Sequence, residues 1–144
     1  MSNKKMDSLI QQMENYLECW KQFNHFINQA RAKKFTAEDE SQFLEVKSVL
    51  IQELELILAS IEVASPTKEE VHTVVGNAPS LRFMSEMSDG ALRSLENQWH
   101  KIYIGWHSIL GQLKVRERAD ADKSTFSSLF GGGQKGKAKR KNDE

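Results

Sequence analysis

The stretch Ser88–Arg118, SDGALRSLENQWHKIYIGWHSILGQLKVRER, decides the fold class. Its apolar residues Leu92, Leu95, Trp99, Ile102, Trp106, Ile109 and Leu113 alternate in spacing between three and four. That is the period of one face of a long amphipathic helix. Two of the three Trp and two of the four His also lie here, so any core must run through this segment.

Working back from Ser88, the chain predicts two more long helices and an irregular region. From about Lys4 to Arg31, Met6, Ile10, Met13, Leu17, Trp20 and Ile27 form a stripe broken by Asn24. Leu9, Tyr16, Phe23 and Ala30 form a second row seven apart. Two adjacent rows make a face broader than a dimeric coiled-coil seam, although the heptad spacing is coiled-coil-like. Thr36, followed by Glu38, Asp39 and Glu40, opens the second helix, with a hydroxyl for the free N–H groups and carboxylates at the positive pole. Its rows are Phe43, Leu50, Leu54, Ile57, Ile61 and Ala64, then Leu44, Ile51 and Leu58. Lys47 occupies a core-row position. Its stem can lie along apolar surface while the ammonium reaches water, or, with Asn24, it can fix the helix register.

Pro66 ends that helix, and Thr67 with Glu70 has capping-box spacing for a short third helix. Gly76–Asn77 predicts a left-handed stop, Pro79 a further helical turn, and Ser88–Asp89 the cap of the last helix. The expected fold is therefore all-α: a helical bundle of three long amphipathic helices, with one or two short helices between the second and third.

After about Asp122 the periodicity is lost. Residues 1–123 read as the bundle domain, and 124–144 as a Ser/Gly-rich joint around Gly131–Gly133 with a disordered basic C-terminal tail from about Gly131. The formal net charge is zero, yet residues 124–144 carry five basic and two acidic groups against 15 basic and 18 acidic before them. Polyanion affinity is therefore expected in the tail, at Lys135, Lys137, Lys139, Arg140 and Lys141. It would be weak, non-specific nucleic-acid binding. Val71, Leu81, Phe83, Met84 and Met87, with Phe126, Leu129 and Phe130, are the candidate partner surface, for another protein or a second copy. Attachment to a membrane surface ranks below nucleic acid, because Ser124, Ser127 and Ser128 interrupt the apolar cluster.

A lone Cys19 allows no intramolecular disulfide, and neither a signal-type apolar run nor a segment of spanning length is present. A cytoplasmic protein is expected. No phosphate-cradling glycine loop or nucleophile-elbow motif occurs, and Cys19 has no feature that would lower its pKa. His100 and His107, seven apart on one helix, stand about 10.5 Å apart along its axis, too far to share one ion. Glu69 and His72 have the E-x-x-H spacing of di-iron bundles, but such sites need a second copy of it. No metal and no cofactor are expected. Gly105-Trp-His107-Ser-Ile-Leu-Gly111 resembles the His-x-x-Lys-Gly motif of histidine phosphotransfer domains over five residues, with Leu110 in the place of the Lys. The sequence thus predicts a non-catalytic interaction or adaptor protein. The alternative is a phosphotransfer-type or other small helical enzyme using His107 or His100.

Overall fold

The computed structural model describes the backbone of residues 3–143 and the side chains of residues 4–123 and Leu129. Among them are five helices and no strand: α1 (Asn3–Ala32), α2 (Ala37–Ser60), α3 (Lys68–Gly76), α4 (Leu81–Ser85) and α5 (Asp89–Asp143).

Local chemistry sets the helix starts. Thr36 and Thr67 each accept from the backbone N–H three residues on, and Asp39 and Glu70 reach back to the threonine N–H groups, giving two reciprocal capping boxes. Ser80 caps α4 and Ser88 caps α5 through Phe83 and Ala91 N–H. Glu40, projecting from the first turn of α2, accepts from the N–H groups of Leu81 and Arg82 at 3.2 and 2.7 Å. A carboxylate from one helix thus completes the N-terminus of another.

α1 is the element the others share, packing against α5, α2 and α4, while α3 bridges α2 and α5. All ten residues of its two predicted rows are buried, joined by Phe26. From α2 come Phe43, Leu50, Leu54 and Ile57, and from α5 Leu92, Leu95, Ile102, Trp106, Leu110 and Leu113. Trp106, Tyr16, Trp20, Phe23, Phe43 and Phe26 follow one another edge-on or tilted through the core, with ring centroids 5.4–6.2 Å apart. Cutting one fully buried Leu or Ile here to Ala would cost ~2–5 kcal/mol. The core is apolar throughout, with no buried polar or charged residue among those described. Trp99, on the predicted α5 stripe with Trp106, is only partly buried. Its Nε1 donates to the Trp20 carbonyl at 2.7 Å, pinning α5 to α1.

Several expectations are corrected. α2 ends at Ser60, so Ile61 becomes its C-cap and Ala64 is exposed. No left-handed stop forms at Gly76–Asn77: Asn77 has φ −75°, its N–H bonds the Thr73 carbonyl, and its side chain is tied to Gln98 of α5. The left-handed residue is instead Lys33, φ 58°. Lys33 and Lys34 N–H return to the Ala30 and Gln29 carbonyls, the Schellman closure of α1. Lys47 does more than reach water: its Nζ donates to the Pro79 carbonyl at 3.1 Å and sits over the Phe43 ring, tying α2 to the α3–α4 connection. Its burial lowers the ammonium pKa, partly offset by Glu40. Asn24 is half-buried, and its Oδ1 has no partner among the described residues, so it cross-links nothing there.

α5 differs most. The sequence reads as losing its helix near Asp122, whereas the backbone stays helical to Asp143, across Gly131–Gly133. A helix already formed extends without a second nucleation cost, and the Lys, Arg, Gln and Ala beyond the glycines are good helix formers. At about 1.5 Å per residue, the 55 residues of α5 span about 82 Å against about 45 Å for the 30 of α1. The two run antiparallel, with Arg31 ion-paired to Glu96, Glu14 3.8 Å from Lys114, and Asp7 beside Glu117. That register brings Asn3 level with about residue 121. The rest of α5 therefore projects past the end of α1.

Candidate functional site

The side chains with reactive chemistry are scattered. His25 and His72 are exposed on α1 and α3, and His100 and His107 on α5. No group of three or more His, Cys, Asp or Glu suited to a metal ion occurs among the described residues. His107 meets Tyr103 edge-on with centroids 4.6 Å apart, and Tyr103 stacks on Trp99 at 4.9 Å, so the histidine ends an aromatic row rather than lining a cleft. Leu110, which stands where a phosphotransfer motif has its Lys, is turned into the core. Glu69 and His72, the E-x-x-H pair, are both exposed on α3 and belong to no such group among the described residues, while the neighbouring Glu70 caps α3 and lies 3.8 Å from Lys101. Its pKa is lowered chiefly by the Thr67 N–H.

The candidate partner surface divides. Val71, Leu81 and Met84 are fully buried and therefore form no surface. Val71 lies where α3 closes over α2 and α5, and Leu81 and Met84 where α4 closes over α1 and α2. Phe83, by contrast, is 55% exposed, and Met87 is half-buried. Both line a shallow depression of about 360 Å³ with Pro79 and Gln98. Leu129 is 73% exposed. The side chains of Phe126 and Phe130, and those of Lys135, Lys137, Lys139, Arg140 and Lys141, lie outside the described residues.

Two concave features were not expected from the sequence. One, of about 630 Å³, lies where the connection from Ile61 to Ser65 crosses α5 at Gly105, Ile109 and Leu113. The other is a pair of openings of about 420 Å³ each that meet at Cys19 and Val49 and form one groove between α1 and α2. Its floor is Tyr16, Cys19, Phe26, Val46 and Val49. Along α1 the wall is polar, with Gln11, Gln12, Asn15, Gln22 and His25; along α2 it carries Glu45 and Glu53. Cys19 is half-buried, and its thiol pKa is raised by burial and then by Glu53 and Glu18. Those neighbours hold it protonated and disfavour a nucleophilic thiolate. The available signal was modest: α1 has a polar but uncharged row opposite its core stripe, and α2 has two valines outside its own.

Charge is distributed by layer. Residues 37–76, covering α2 and α3, hold nine acidic and two basic side chains. No helix among the described residues is long and apolar enough to cross a membrane. Compared with known protein families, curated proteins and solved structures, the chain matches none.

Proposed function

We propose that the chain is a non-catalytic interaction or adaptor protein. In this reading three long helices, with two short ones between the second and third, close into a bundle whose work is done on its surface. The basic run Lys135–Lys141 tethers it to nucleic acid or another polyanion. The observation that carries the reading is the placement of the reactive groups: all four histidines are exposed, His100 and His107 one above the other on α5, His72 on α3 and His25 on α1, and Cys19, near His25, is held as a thiol. A catalytic site needs such groups converging in a cleft that excludes water. The body suits an adaptor, since its acidic α2–α3 layer would repel a polyanion and leave that contact to the tail.

The test is binding of the full chain to short labelled nucleic acids across a salt series, beside a variant with Lys135, Lys137, Lys139, Arg140 and Lys141 replaced by Gln. Neutralising four or five phosphates gives a log–log slope of roughly −4, which the variant should lose together with most of its affinity. Equal binding by the two chains, or none by either at low salt, refutes the tether.

A further inference from the structure

We propose that the groove between α1 and α2 receives the projecting end of α5 from a second copy of this chain. The inference goes beyond the polyanion reading and stands without it; both use the same five basic residues, so a second copy and a polyanion compete for the tail.

Dimensions come first. From Ser8 to Phe26 the groove follows 18 residues of α1, or about 27 Å, and residues 124–143 of α5 make a helix of about 30 Å. Direction argues against the chain's own end as occupant: α5 continues as one helix past the level of Asn3, the end of α1 at which the groove begins.

Chemistry comes second. On the groove side of α2, Val46, Val49 and Leu56 are apolar, Leu56 being 50% exposed and seven residues beyond Val49. Around the helix axis Glu38 and Glu45 lie within about 40° of Val49 and Leu56, and Glu53 lies beside Val46, about 80° from Glu45. Gln12 donates to Glu53, while Glu38 and Glu45 have no cation within ion-pair distance among the described residues. An apolar floor with polar groups along α1 and acidic groups along α2 fits an amphipathic helix that has an apolar cluster and basic residues. The C-terminal segment has that composition, with Phe126, Leu129 and Phe130 at helical spacing and five basic residues after them. The stripe it would present starts inside the body: Val115, 67% exposed, lies two heptads before Leu129. Two apolar residues so exposed on one line of a helix call for a partner surface. Each copy has one groove and one projecting helix, and the proposed exchange is reciprocal, closing as a two-fold dimer.

Centring the apolar cluster on the apolar floor brings Leu129 over Cys19, the chain's one cysteine, which gives the test. Full-length Leu129→Cys is oxidised with copper phenanthroline and run without reductant, beside Leu129→Cys/Cys19→Ser and Leu129→Cys/Glu38→Lys/Glu45→Lys. Far-ultraviolet circular dichroism of each reduced chain establishes that all three are folded. The proposal expects a disulfide-linked dimer from the first chain, none from the second, and about a tenfold slower linkage in the third, the effect of about 1.4 kcal/mol of lost charge complementarity. A dimer persisting without Cys19 would mean that two α5 helices pair with each other. An intramolecular bond would mean that the chain fills its own groove, and no bond at all that the groove is empty. Each of these three results overturns the proposal.

Discussion

Replacing Gly105 by Ala sets helix propensity against packing on the exposed turn of one helix. Inside a helix Ala is favoured over Gly by ~1 kcal/mol, so the change should stabilise α5 if space were open. It is not open: a Cβ at Gly105 would stand 2.8 Å from Cγ and 3.0 Å from Cδ of Pro66. Those atoms belong to a closed ring on a buried residue, directly before the Thr67–Glu70 capping box, and cannot rotate aside. Helix or connection must move by roughly half an ångström, and overpacking of this kind costs ~1–3 kcal/mol. Subtracting the propensity gain leaves Gly105→Ala about 0–2 kcal/mol less stable than the parent. Gly111, six residues on, has nothing within 4 Å of its would-be Cβ, so Gly111→Ala should gain up to ~1 kcal/mol. Urea unfolding followed by tryptophan fluorescence measures both. The two substitutions should differ by about 1–3 kcal/mol with Gly111→Ala the more stable. Equal stabilisation by both would refute the seating of Pro66 against α5.

Three further outcomes follow from the caps. Lys33→Gly relieves the left-handed backbone that a side chain disfavours by ~1–2 kcal/mol, and net of Gly's extra unfolded-state entropy it should raise stability by about 0.5–1 kcal/mol in the same assay. Glu40→Gln keeps the shape but removes the charge from two hydrogen bonds to α4, so it should cost ~1–3 kcal/mol, and hydrogen exchange at Leu81 and Arg82 should speed up. Glu70 has a folded pKa below the ordinary value of 4.5, so its contribution is present at neutral pH and is lost as pH falls through its folded pKa. The stability difference between the parent chain and Glu70→Gln should therefore shrink between pH 5 and pH 3; a constant difference would contradict the cap.

Much of this fold is legible because helix periodicity and capping chemistry are local. The α1 rows, the Thr36, Thr67 and Ser88 caps, and most of the α5 stripe depend on residues a few positions apart. What escapes the sequence is long-range or energetically close. Glu40 meets Leu81 across 41 residues, and Gly105 faces Pro66, for reasons that exist only after the helices have packed. The left-handed position falls on Lys33 rather than a glycine because the Schellman hydrogen bonds outweigh a modest strain. Val71, Leu81 and Met84 looked available for a partner because short helices give too few turns to show which face is covered. The α1–α2 groove was hidden for a related reason: it is formed by what two core stripes leave out.

The claim that this chain works by binding rather than by chemistry is tested most directly in full-length His100→Ala/His107→Ala, by its salt-dependent association with labelled nucleic acid. The account predicts the parent's curve, with the same slope of roughly −4 and an affinity within about twofold, because the five basic residues of the tail carry the contact. Loss of binding in this variant, with the fold intact, would make the histidines part of the working site and contradict it.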